Sequence, residues 1–232
     1  MRTRAVRRGP LVAVAAMGMA LVLGGCGSVP PGTASVISGT KISRSDVNEL
    51  TDAQCAGIEK AAKSGQSQTQ ETSRKQLVQQ ALTLLMDIEL TLKFGKHEDV
   101  TPRPQEVAAT YSQIDPLIKT LPKKYQPFME DTFQRWAESR DILTQVGEQA
   151  TGQQADANNG QQLLDAGYQK REPWLKTVDI HTDPRYGPAG VGWPGGADPS
   201  VSKPVSSFAK SGSKTTPDPA WLGGLPSGQK CG

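Results

Sequence analysis

Residues 72–95 carry the pattern that most narrows the fold. Leu77, Ala81, Leu84, Leu85, Ile88 and Leu92 recur at spacings of three and four, and Val78 and Leu82 widen the stripe. A helix with so broad an apolar face must bury it on more than one neighbour, which makes it the central helix of a bundle. Gly95, ahead of the charged run Lys96-His97-Glu98-Asp99, marks its predicted end.

Other helices follow from similar signals. Ser43 or Ser45 offers an N-cap for a helix bearing Val47, Leu50, Cys55 and Ile58, which dissolves in the polar stretch SGQSQTQETS. Thr101 before Pro102, with Glu106 in the first turns, opens a helix carrying Val107, Tyr111, Ile114, Ile118 and Leu121. Asp115-Pro116 must kink it or stop and restart it, because proline removes an amide and clashes with the preceding turn. Pro122 and Pro127 bracket the start of a long helix to about Ala150, with Met129, Phe133, Trp136, Leu143 and Val146 at helical spacing. A last helix holds Leu163, Leu164 and Tyr168, and Pro173 limits its end.

Strand signals sit at the two ends of this helical run. Val36 and Ile37, then Gly39-Thr40, then Ile42 read as strand, turn and strand. Val178 and Ile180 alternate with Asp179 in VDIHTD, the pattern of a half-buried strand. The late strand is expected to return and pair with the early hairpin. The fold class is therefore mainly α (α+β): a four- to five-helix body over residues 34–187, closed by a small sheet. From residue 183 onward, eight Pro and ten Gly in fifty positions cannot build a core, which makes 188–232 an irregular Gly/Pro-rich extension. Trp193, Phe208 and Trp221-Leu222 favour a wrap over the helical body rather than a free tail.

The N-terminus fixes an address. Arg2, Arg4, Arg7 and Arg8 precede the apolar run 11–25, which ends in Leu23-Gly24-Gly25-Cys26. This is a secretory signal over 1–25 with a lipobox, too short and wrongly flanked for a membrane-spanning helix. The pattern resembles that of bacterial lipoproteins, which implies acylation of Cys26, a tether over 26–33 and a lipid anchor at the extracytoplasmic face of the cell membrane. Removing 1–25 takes four Arg and no acid from 26 basic and 23 acidic residues, leaving acids one ahead. The precursor's positive charge belongs to export, and a nucleic-acid partner is not indicated. The roughly 200 residues that remain suit one domain with a tail or two small domains. Cys55 and Cys231 are left as an even pair in an oxidising compartment, where they most simply bond to each other; two free thiols are the alternative.

VISGTKISRSD at the front and VDIHTDPRYG at the back, with helices between, resemble the SurA N-terminal domain of SurA/PrsA-type extracytoplasmic chaperones. Val36, Gly39, Ile42 and Asp46 match at the front, and Val178, Ile180, Asp183, Pro184, Arg185, Tyr186 and Gly187 at the back. The resemblance implies a domain that holds non-native exported polypeptides in an apolar groove. The parvulin isomerase domain that many members carry has no counterpart here, so isomerase activity is not expected. Phe128, Met129, Phe133 and Trp136 are the candidate client-binding side chains, since Met and aromatics adapt to varied shapes. With only His97 and His181, a multi-histidine metal site is excluded, and no P-loop, dinucleotide glycine pattern or CxxC occurs. No cofactor or catalytic residue is assigned. A docking module for one cell-envelope partner is the rival expectation.

Overall fold

The structure, a computed structural model, describes residues 29–65, 71–186, 206–212, 214 and 218–232. The expected signal over 1–25, Cys26 and Trp193 lie outside the described residues. Within them the fold is mainly helical with small antiparallel sheets.

Strands β1 (Thr33–Ile37) and β2 (Thr40–Ser43) form a hairpin whose two-residue turn, Ser38-Gly39, has φ of 44° and 83°. Positive φ at both positions matches the turn to the twist of the strands, and glycine takes it without steric cost. The expected tether thus yields its last residue, Thr33, to β1. Helix α1 (Arg44–Lys63) starts at Ser43, whose Oγ accepts from the Asp46 amide while Asp46 accepts from the Ser43 amide, a capping box that decides between the two candidate serines. The same device starts α2 (Arg74–His97), with Ser73 as cap and Gln76 as its partner. The two residues before α2 form a short strand, β3 (Thr72–Ser73), where the sequence pattern predicts helix.

α2 does not stop at Gly95. The glycine stays inside the helix because Ile142 packs on it: a Cβ there would stand 2.7 Å from Ile142 Cδ1. α3 (Pro104–Ser112) begins three residues after Thr101, and the chain stops and restarts at Pro116 in α4 (Asp115–Ile118). α5 (Gln126–Thr151) is the longest helix, and α6 (Gly160–Leu175) keeps Pro173 inside its last turn. β4 (Ile180–Thr182) then pairs antiparallel with β1, Val36 opposite His181, giving the sheet order β2-β1-β4. The main core lies where this sheet, α1, α2 and the start of α5 meet, with Ile37, Leu50, Leu82, Met86 and Leu90 fully enclosed.

α5 and α6 approach more closely than side chains normally allow. A Cβ on Gly147 would lie 2.0 Å from the Leu163 carbonyl oxygen, and one on Gly167 would lie 2.2 Å from that of Leu143. Each helix therefore presents a glycine to the other's backbone.

The C-terminal region carries two short helices, α7 (Ser207–Gly212) and α8 (Pro219–Gly223), that composition alone does not reveal. A final strand, β5 (Lys230–Cys231), pairs antiparallel with β3. Cys231 is bonded to Cys55 of α1 across 176 residues of sequence, and Lys230 pairs with Glu71 at 2.8 Å. The end of the chain is clasped to the helical body.

Candidate functional site

α5 places the four candidate client-binding side chains in three different settings. Met129 is 5 % exposed and belongs to the main core with Leu82, Leu85 and Ile118, so it cannot meet a client and is withdrawn as a contact. Phe128 and Phe133 lie half-buried against the same core. Trp136 is also half-buried, its ring edge-on to Phe133 at 5.9 Å, with the Arg140 guanidinium 5.0 Å from the ring centre. These side chains form no shared open stripe, because helical spacing that puts apolar groups on one face also turns that face to the core.

A groove opens instead beside them. Pro102, Pro104, Val107, Ala108 and Tyr111 form one wall and Gln134 and Glu138 of α5 the other, around a volume of about 500 Å³. Burial pushes the Tyr111 hydroxyl above its ordinary pKa, and the charges of Asp115 and Glu130 push it the same way, so it remains a donor at the groove's end. Leu117 of α4 is 66 % exposed, the most exposed large apolar side chain among the described residues.

The proline wall is fixed by a buried carboxylate. Asp141 of α5, 5 % exposed, accepts from the Arg103 amide at 2.6 Å and from its Nε and Nη2 at 2.9 and 2.6 Å. Gln145 donates to Asp141 and to the Thr101 carbonyl, both at 2.8 Å, and Arg103 Nη1 reaches Glu148 at 3.1 Å. Arg103 therefore lies between two prolines whose backbones offer no amide, and its own amide and guanidinium tie the corner to α5. Sequence reasoning passed over Arg103 and Asp141 because their partnership spans 38 residues.

A second ion pair joins α6 to α2. Arg171, 4 % exposed, donates to Asp87 at 2.7 Å and to Thr91, and its guanidinium lies 4.8 Å from the Tyr168 ring centre. The Tyr168 hydroxyl also donates to Asp87, at 3.2 Å, and its pKa is pushed up to about 12, first by burial and then by the Asp87 charge. Such a group does not exchange protons near neutral pH; this cluster holds helices together.

His97 and His181 stand apart from both features. His97 faces Glu98 at 3.7 Å and His181 faces Asp179 at 2.9 Å, both at the surface. Among the described residues no group of three or more His, Cys, Asp and Glu could hold a metal ion, and no helix is long and apolar enough to cross a membrane.

No known family, curated protein or solved structure matches this chain. The front and back segments quoted for the resemblance nevertheless meet in space, for a physical reason. The Asp183 amide donates to the Ala34 carbonyl at 2.9 Å, continuing the β1–β4 pairing. Its carboxylate accepts from Arg44 at 2.6 Å and from the Arg185 amide and Nε at 3.0 and 3.2 Å. Asp183 thus fastens the last strand to the first helix. Burial alone would raise its pKa, but the Arg185 hydrogen bonds and the charges of Arg185 and Arg44 outweigh it and hold the carboxyl below the usual range.

A carboxylate with a depressed folded-state pKa stabilises the fold above its unfolded value of about 3.9, and that stabilisation is lost as pH falls through the folded pKa. Asp183→Asn is therefore expected to be less stable than the wild type at neutral pH. The gap should close as pH falls below about 4, in urea unfolding at successive pH values. A gap unchanged into strong acid would show that Asp183 acts through shape alone.

Proposed function

We propose that this chain is a lipoprotein, anchored through Cys26 at the extracytoplasmic face of the cell membrane, that holds extended apolar segments of unfolded exported polypeptides without isomerase activity. The supporting observation is the open groove between α3 and α5. Its apolar wall is presented on a corner held rigid by Arg103 and Asp141, and no described residue of the C-terminal region lines it. The half-buried Trp136 lies on the same helix, α5, and supplies apolar surface once a segment is seated.

The test is made with the chain lacking residues 1–26 and its Ala108→Glu variant. Ala108 is exposed on α3 and glutamate suits a helix, so the fold is expected to persist. Equimolar wild type should slow aggregation of an unfolded protein, and the variant should hold it about tenfold more weakly, the factor that about 1.4 kcal/mol of unpaired charge in an apolar contact represents. Equal activity of the two would remove the groove from the proposal; no slowing by either would remove client holding.

One feature favours the second reading, a docking module for a single cell-envelope partner. Met129 is in the core and the groove's corner is pinned by six side-chain hydrogen bonds to or from Arg103, Asp141 and Gln145, a stiffness that suits one shape better than many. Affinity capture separates the two, through many unrelated chains or one stoichiometric partner. A prolyl-peptide assay checks the absence of isomerase activity.

A further inference from the structure

We infer that the face formed by α7, α8 and the Arg185 turn docks on the lipid surface itself, so that the anchored protein lies against the bilayer in one orientation. This rests on acylation of Cys26. Thr33 stands seven positions after Cys26, a reach of at most about 25 Å fully extended. The start of β1 is therefore held near the membrane, and whatever surrounds it faces the headgroups.

A continuous set of contacts leads from that point to an aromatic and basic patch. The Arg44 amide donates to the Gly32 carbonyl at 2.9 Å, and Arg44 pairs with Asp183. Arg185 shares the same carboxylate at 3.2 Å with its side chain 68 % exposed, so two guanidiniums face one acid. Gln79 of α2 donates to the Tyr186 carbonyl at 3.4 Å, and one helical turn earlier Lys75 donates to the Gly212 carbonyl at 3.5 Å. α7 therefore sits on the same end of α2 as the root of the tether.

At this place the chain exposes what a bilayer interface accepts. Phe208 is 52 % exposed, and its ring lies 5.4 Å from that of Trp221, which packs against Gly212 so closely that a Cβ there would be 2.4 Å from Trp221 Cζ2. Aromatic rings beside lysines are favoured at headgroup level, where an apolar body and a cationic rim are both satisfied. Lys75, which reaches the Gly212 carbonyl, and Lys214, two residues beyond that glycine, are exposed, and Arg185 precedes Tyr186, whose carbonyl Gln79 of α2 holds. Among the described residues, Asp183 is shared by two arginines and Asp52 pairs with Arg74, while Asp218, which caps α8 by accepting from the Ala220 amide at 2.8 Å, keeps one negative charge against Lys75, Lys214 and Arg185. The patch therefore has a basic excess, which fits an anionic lipid surface rather than a second acidic-neutral copy of the chain.

The experiment uses the acylated chain in vesicles of phosphatidylglycerol and phosphatidylcholine in equal parts, with bromine on the acyl chains to quench tryptophan within reach. Wild type should show a quenched component that Trp221→Phe removes and that is weaker on phosphatidylcholine alone. Arg185→Ala should lower the ratio of docked to undocked molecules about fivefold, the factor for about 1 kcal/mol per basic side chain at an anionic surface. Quenching that survives Trp221→Phe, or that is equal on neutral vesicles, overturns the docking face. A chain whose intact mass shows no acyl group on Cys26 and that does not float with vesicles overturns the anchor, and the docking face with it; a floating chain without quenching overturns the docking face alone.

Discussion

Cys231→Ser is expected to destabilise the protein more than any other single change outside the core, by roughly 3–5 kcal/mol, because the bridge closes a loop of 176 residues. The upper figure is the loop-entropy ceiling, and total stability for a domain is only about 5–15 kcal/mol. Loss of the bridge also loosens β5, which is otherwise held by two residue pairs with β3, the Lys230–Glu71 ion pair and packing of Cys231 near Leu77 and Ile58. Cys55→Ser should cost nearly as much, and the double variant no more than either, since both delete one bond. Denaturant unfolding with and without a thiol reductant checks this. Reductant should move wild type to the position of the variants and leave the double variant where it is. A wild-type midpoint indifferent to reductant would show that the C-terminal contacts hold without the bond.

The second large effect belongs to the α5–α6 contact. Gly147→Ala and Gly167→Ala would each add a methyl where a carbonyl oxygen of the facing helix stands 2.0 or 2.2 Å away. Neither obstacle is a side chain that can swing aside, so the helices must separate, at about 3 kcal/mol or more for each variant. The direction is informative, because alanine in an otherwise free helix position is favoured over glycine by up to about 1 kcal/mol. Gly160→Ala supplies the contrast: its added Cβ meets open space, so it should be neutral or mildly stabilising in the same thermal unfolding measurement. Equal stability for all three variants would mean that α5 and α6 can slide apart without loss.

Much of the architecture could be read from local patterns. The α2 stripe, the Pro116 interruption, the Ser38-Gly39 turn and the alternation around Ile180 each express a physical constraint within a few residues. The return of β4 to β1 was legible because strands at the two ends of a helical run have few other partners. What stayed hidden depends on contacts between distant residues. Gly95 reads as a stop until Ile142 is seen to need the space, and Gly147 and Gly167 read as helix-weakening until the facing carbonyls are in place. The open stretch between α3 and α5 stayed hidden for a related reason. Met129 and Phe133 advertise apolar surface, but the sequence does not say that their face is spent on the core, whereas the wall of Pro102, Pro104 and Tyr111 depends on Arg103 meeting Asp141. The short pairing of β3 with β5 carries too few residues for periodicity to register.

The sheet order β2-β1-β4 also sets a timetable. The central strand comes before β4 in the chain, and one of its edges stays unpaired until β4, about 140 residues later, reaches it. An open strand edge is an invitation to the wrong neighbour. Throughout that interval the newborn chain must keep β1 from pairing elsewhere, and the hairpin with β2, complete within a dozen residues, guards only one side of it.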